Sequence, residues 1–173
     1  MVNISILRIG HRIERDKRLS THVGLVARAF GADKLYYTGQ KDSGMEESIE
    51  KIRNIWGGFF EVEHIKSWRK FIPEFKGIVV HLTMYGLPFQ KELEWVKKEG
   101  KDVLIVLGGQ KVPGEVYELA DFNLAVTNQP HSEAGALSVF LDRFFEGKEL
   151  EIEFEGAERR IVPKEKGKKV IKK

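Results

Sequence analysis

A mostly parallel α/β sheet with helices on both faces is the fold this sequence predicts. Three observations carry the prediction. Short β-branched and aromatic runs recur at residues 2–7, 34–37, 59–63, 78–82, 103–107 and 122–126. Several are continuously apolar, as strands buried on both faces should be. Amphipathic stretches lie between them, and this alternation is the pattern of βαβ units.

The elements follow in order. The first helix is expected over residues 20–30, with Ser20 or Thr21 as cap and Gly31 as stop. The second covers 45–56, where Ile49, Ile52 and Trp56 recur at helical spacing. The third is short, from 67 to 71 or a little beyond. The fourth covers 88–98, with Pro88 suited to a first helical position. The fifth spans 114–119. The sixth spans 132–145, where Leu137, Phe140, Leu141 and Phe144 form one stripe. After Gly147 the pattern changes. Leu150, Ile152 and Phe154 alternate with glutamates, and a turn at 155–158 leads into 159–162, which predicts an appended β-hairpin. The organisation expected is a domain over 1–147, a hairpin over 148–163 and a basic tail over 164–173. The tail reads as a solvated terminus or as a nonspecific contact to phosphates.

Composition bounds the function. With 173 residues, 42% of them hydrophobic, the chain can bury one core. A net charge of +3 and a pI near 9.0 fit a nucleic-acid partner without demanding one. The absence of cysteine excludes disulfides and thiolate metal sites. The histidines at 11, 22, 64, 81 and 131 have no metal-ligand spacing, so no metal is expected. No apolar run approaches the roughly 18 residues of a membrane span, and the first residues lack a signal peptide's pattern. A cytoplasmic protein without a membrane partner is expected.

In sheets of this kind ligands bind beyond the carboxyl ends of strands. Segments 83–86, 108–113 and 127–133 therefore carry the functional weight. The run from Arg8 to Arg18 holds five basic residues in eleven, directly after the first strand. Arg8, Arg12, Arg15 and Arg18 are candidate RNA contacts, since guanidinium groups grip phosphates and stack on bases. Arg28 falls inside an apolar helix and needs a partner: an ion pair within the fold, or a phosphate or reacting ribose. Gly108-Gly109-Gln110-Lys111-Val112-Pro113 lets backbone approach a ligand. It is neither a Walker loop nor a dinucleotide fingerprint, and alone it reads equally as a strand-to-helix turn. Thr127-Asn128-Gln129-Pro130-His131-Ser132-Glu133 leads into the last helix, which Ser132 can cap.

Together these motifs resemble the SPOUT class of RNA methyltransferases. The order carries the likeness: His22…Arg28-Ala29-Phe30-Gly31, then the Leu-Gly-Gly turn at 107–109, then Pro130-His131-Ser132-Glu133. Within the class, the run Leu7-Arg8-Ile9-Gly10-His11-Arg12 and the Gly-Gly-Gln-Lys-Val-Pro and Asn-Gln-Pro-His-Ser-Glu segments are similar to the archaeal tRNA cytidine-56 ribose 2′-O-methyltransferases. The resemblance spans nearly the whole chain. It implies a trefoil knot in the carboxyl half, a homodimer with sites at the subunit interface, tRNA as substrate, and S-adenosylmethionine as donor. It implies that the donor is held at Leu82, at Gly108, Gly109, Gln110, Lys111 and Val112, and at Val126, Thr127, Asn128, Gln129, Pro130, His131, Ser132 and Glu133. Arg28 falls on the class arginine, and His22 stands where other ribose methyltransferases of the class carry asparagine. The register leaves open whether Ser132 or Glu133 matches the class serine.

The resemblance thus makes Arg28 and His22 the catalytic candidates. A pKa above about 12 makes arginine a poor base. Arg28 is therefore expected to fix a phosphate and stabilise developing charge, with His22 relaying the proton. The alternative is a noncatalytic RNA-binding α/β protein whose glycine turn is only structural.

Overall fold

The computed structural model describes residues 2–109 and 111–172. Six strands form one parallel sheet in the order β3-β2-β1-β5-β4-β6. They are β1 (Ile4–His11), β2 (Lys34–Gly39), β3 (Glu61–His64), β4 (Ile78–Pro88), β5 (Val103–Gly108) and β6 (Phe122–Ala125). The helices between them are α1 (Ile13–Ala29), α2 (Ser43–Trp56), α3 (Trp68–Glu74), α4 (Phe89–Lys98), α5 (Gly114–Leu119) and α6 (Glu133–Phe145).

Strand alternation divides the core into two layers. In β5, Val103, Ile105 and Leu107 face a large cluster with Val23, Met45, Leu93 and Phe140, from α1, α2, α4 and α6. Leu104 and Val106 face a smaller cluster with Trp68, Ile72 and Val116, from α3 and α5. Because both of its faces are covered, β5 reads as an unbroken apolar run from Val103 to Leu107.

Three differences from the sequence expectation matter. First, α1 begins at Ile13, seven residues before residue 20. The Asp16 carboxylate accepts the Arg12 backbone N–H at 3.1 Å and so closes the helix start. Ser20 is no cap. It is fully buried and lies 2.8 Å from His11 Nδ1, while His11 Nε2 lies 3.2 Å from Asp42. This buried trio pins β1 to α1. Secondly, β4 runs past Leu82 to Pro88 with an irregularity between Leu82 and Leu87, so residues 83–86 stand out of the sheet. Gly86 is required there, since a Cβ would lie 2.5 Å from the Asn123 carbonyl oxygen.

Thirdly, the carboxyl-terminal hairpin is built differently. Residues Lys148–Glu151 form a 3-10 turn, and the strands that pair are β7 (Arg159–Ile161) and β8 (Val170–Lys172). Half of the hairpin therefore comes from the expected basic tail. Phe154 is diverted into the fold, where its ring lies under the Arg28 guanidinium. The neighbouring Glu155 carbonyl accepts the Gly58 N–H at 2.7 Å.

Candidate active site

The carboxyl ends of β1, β4, β5 and β6 converge on two hollows. One is a cleft of about 530 Å³. Its walls come from Leu82, Thr83, Met84 and Tyr85 in the irregular part of β4, from Gly108 at the end of β5 with Gly109, Lys111 and Val112 after it, and from Pro130, His131, Glu133 and Ala136 around the start of α6, with Tyr117 and His81 behind. The other, of about 550 Å³, is lined by Ile9, Gly10, Arg12, Arg15, Trp68 and Pro113. The two share Gly108, Gly109, Lys111 and Val112 as a wall.

Local sequence explains this wall. β5 is apolar up to Leu107, and Gly108 then allows a turn that a side chain would block. A Cβ on Gly108 would lie 2.2 Å from Val112 Cγ2. Gly109 is less confined: its Cβ would meet the Arg15 guanidinium at 3.1 Å. The irregular stretch of β4 at residues 83–86 is tied to the loop after β6 by Asn128, whose amide donates to the Met84 and Gly86 carbonyls at 2.8 and 3.0 Å.

Charge beneath the site is organised by Arg8. Expected in a loop, it lies in β1 and is 1% exposed. Its Nη1 donates to the Ile9 carbonyl at 2.7 Å, and its Nε lies 2.9 Å from Glu133 Oε2. That pair is an ion contact without hydrogen-bond alignment, and Arg8 Nη2 has no partner. Burial raises the Glu133 carboxyl pKa above its ordinary value. The Arg8 and Arg15 charges oppose that shift and Asp16 adds to it. Arg12 and Arg15 are exposed, and Arg15 Nε donates to Asp16 at 2.8 Å.

Of the residues expected to hold a donor, Leu82, Gly108, Gly109, Lys111, Val112, Pro130, His131 and Glu133 line the cleft. Gln110 lies outside the described residues. Val126 packs against the core, Asn128 fastens two loops, and Thr127 and Gln129 are exposed. Ser132 holds the N-cap position of α6 without a side-chain cap hydrogen bond. Of the expected RNA contacts, Arg12 and Arg15 reach a hollow, Arg18 is exposed elsewhere on α1, and Arg8 is buried.

The two catalytic candidates do not join them within one chain. Arg28 lies thirteen residues beyond Arg15 on α1, about 20 Å along the helix axis. It is 7% exposed, donates to the Gly57 carbonyl, and stacks 4.7 Å from the Phe154 ring centroid. Burial lowers its pKa. Within this chain its partners are a carbonyl oxygen and an aromatic ring, and it does not line the cleft. His22 is exposed on α1 and does not line the cleft. Missed from sequence were His81 and Tyr117. The signal for His81 was a polar residue inside the apolar run Val79-Val80-His81-Leu82.

Comparison with known proteins decides the family. The model of the tRNA ribose 2′-O-methyltransferase family, aTrm56, matches residues 56–171. The chain belongs to that family. It is 55% identical over 173 residues to the tRNA (cytidine(56)-2′-O)-methyltransferase of Thermococcus kodakarensis, covering 97% of this chain and 96% of the relative. To the enzyme of the same description from Methanocaldococcus jannaschii it is 53% identical, covering 98% and 96%.

Among solved structures it is similar to the TrmH/SpoU tRNA modifying enzyme of A. aeolicus. The TM-score is 0.62 at 16% identity, over 87% of this chain and 79% of that one. It is also similar to the SpoU methyltransferase AviRb of Streptomyces viridochromogenes in complex with AdoMet. There the TM-score is 0.61 at 11% identity, over 85% and 58%. These likenesses carry the fold, and the fold family implies the trefoil knot. Among the described residues no helix is long and apolar enough to cross a membrane, and no cluster of metal-ligating side chains occurs.

Proposed function

We propose that this chain transfers a methyl group from S-adenosylmethionine to the ribose 2′-oxygen of a tRNA, at cytidine 56 as its relatives' names state. The observation that carries the reading is the pair of hollows sharing one wall: a cleft that suits the donor beside a cationic one that suits the nucleic acid. The cytoplasm, where tRNA resides, is the corresponding location.

The residues present fit the donor. A cleft of about 530 Å³ lies within the range, roughly 300–1,000 Å³, of small-molecule sites. Its lining is largely apolar with a few polar groups, Glu133 and His81 among them. The Gly108 turn turns backbone rather than side chain toward the ligand. Leu82, Gly108, Gly109, Lys111, Val112, Pro130 and His131 would hold it. When bound, S-adenosylmethionine supplies a methyl group made electrophilic by its cationic sulfur.

The chain must then orient the hydroxyl and take its proton as the carbon–oxygen bond forms. Glu133 is the group we assign to the proton. Its carboxylate is anchored on Arg8 and has a raised pKa, and the side chain remains 19% exposed on the cleft. Arg12 and Arg15 grip phosphates of the substrate from the neighbouring hollow. We further propose a homodimer in which His22, free on α1, serves the cleft of the second copy. Arg28 braces the same helix from below. Residues 1–147 form the methyltransferase domain, and the extension after them closes its far end.

The test uses unmodified tRNA transcript and labelled donor, with the product digested and mapped by mass spectrometry. A methyl group on the ribose of cytidine 56 is expected. Methylation of a base, or no binding of the donor, overturns the reading.

A further inference from the structure

His81 is a buried polar residue that the chemistry above leaves unused. It lies in β4, fully buried, and lines the cleft. Its Nδ1 is 2.9 Å from Asn123 Oδ1. The Asn123 amide cannot be reversed, because its Nδ2 donates to the Tyr117 carbonyl at 2.8 Å. An amide oxygen only accepts, so His81 Nδ1 carries the ring hydrogen. A neutral imidazole has one N–H, which leaves Nε2 a bare acceptor. Burial lowers the ring's pKa and keeps that form at neutral pH. The Tyr117 ring, edge-on with centroids 4.6 Å apart, fixes the orientation.

Nε2 is buried and has no partner in the protein. A structural histidine needed only to anchor Asn123 would use Nδ1 alone. A buried acceptor without a donor is costly, so a group entering the cleft with a suitably placed hydrogen gains from meeting it. We infer that His81 Nε2 accepts a hydrogen bond from the adenosine half of the methyl donor, from its exocyclic amine or a ribose hydroxyl, and so selects the donor's nucleoside. This rests on the methyltransferase reading above. It makes the chain Tyr117–Asn123–His81 a relay of fixed polarity, set by a backbone carbonyl and ending on the ligand.

The experiment titrates S-adenosylhomocysteine into the full chain by calorimetry, beside its inosine, 2′-deoxy and 3′-deoxy analogues. Wild type, His81→Phe and His81→Gln are compared. Wild type is expected to bind one analogue about tenfold more weakly than the parent, and that analogue identifies the hydrogen donor. His81→Phe is expected to bind the parent about tenfold more weakly and to treat that analogue like the parent. His81→Gln, which can offer an amide oxygen, recovers part of the loss. In wild type the nitrogen-15 resonance of His81 Nε2 is expected to move on saturation.

If wild type does not bind S-adenosylhomocysteine, the methyltransferase reading itself fails. If wild type binds it but all analogues bind alike and the Nε2 resonance stays still, the His81 inference alone is overturned. Those two wild-type readouts decide even if a variant misfolds.

Discussion

Arg8 and Arg28 are both buried in the same chain, yet they sit in different chemistry. Arg8 meets a carboxylate, Glu133, that itself lines the cleft. Arg28 meets a carbonyl oxygen and an aromatic ring at the far end of α1. Burial alone therefore does not assign an arginine's role. What distinguishes the two is whether the partner can change its charge and whether it faces a ligand-sized space.

The largest effect that can break this comparison is Arg8→Ala. Removing one partner of a buried pair typically costs about 3–5 kcal/mol, because the other charge is stranded. A loss toward the lower figure is expected here, since Glu133 can take up a proton. Urea unfolding at pH 7 measures it, and adding Glu133→Gln should recover part of the loss. A cost near zero would show that the pair does not hold β1 to α6.

Arg28→Ala comes next. One hydrogen bond and one cation–π contact together suggest a loss of about 1–3 kcal/mol. Donor affinity and single-turnover rate should stay within about threefold of wild type, an allowance of well under 1.4 kcal/mol. A rate loss of a hundredfold with donor binding kept would instead put Arg28 to work in the cleft of a second copy.

Gly108→Ala probes the cleft side directly. A methyl group 2.2 Å from Val112 Cγ2 forces the loop to shift. Donor affinity should fall by about tenfold or more, as misplaced backbone costs at least one hydrogen bond. The melting temperature should fall less markedly, because Gly108 is the last residue of β5 and Val112 only flanks the smaller core cluster. Equal losses in both would make the turn a folding element rather than a ligand wall.

How much of this was legible depends on whether the cause was local. The strand–helix alternation was legible because sheet burial and helical spacing are written in neighbouring residues. The glycine turn and the segment before α6 were legible for the same reason, as punctuation after apolar strands. Arg8 was misread as a loop residue because its burial depends on Glu133, 125 positions away. Ser20 looked like a cap because its true partner, His11, lies on a different element. Phe154 alternated correctly for a strand, but Arg28 and Gly58 claim it. His81 showed only as a polar interruption, and its meaning required Asn123 and Tyr117.

A smaller effect separates the arginines on α1. Arg12 and Arg15 reach the hollow and Arg18 does not. Alanine at either of the first two should shallow the salt dependence of tRNA binding by about one unit per phosphate contact. Arg18→Ala should leave the slope unchanged. Identical slopes for all three variants and wild type would remove the hollow from the nucleic-acid interface.

The smallest effect concerns pH, and it sharpens what kind of partner Glu133 is to Arg8. Burial outweighs the guanidinium and raises the carboxyl's pKa in the folded chain. The folded state then binds a proton more tightly than the unfolded one. Its contribution to stability is fully present below the ordinary carboxyl pKa of about 4.3 and is lost as pH rises through the folded value. Glu133→Gln, which cannot ionise, escapes that loss. Its stability relative to wild type should therefore improve between pH 4 and pH 7, as read from urea midpoints at each pH. A change of opposite sign would mean that the attraction to Arg8 exceeds the cost of burial. Glu133 would then be a locked counter-ion, unsuited to taking the ribose proton, and the base would have to be sought at His22 of a second copy.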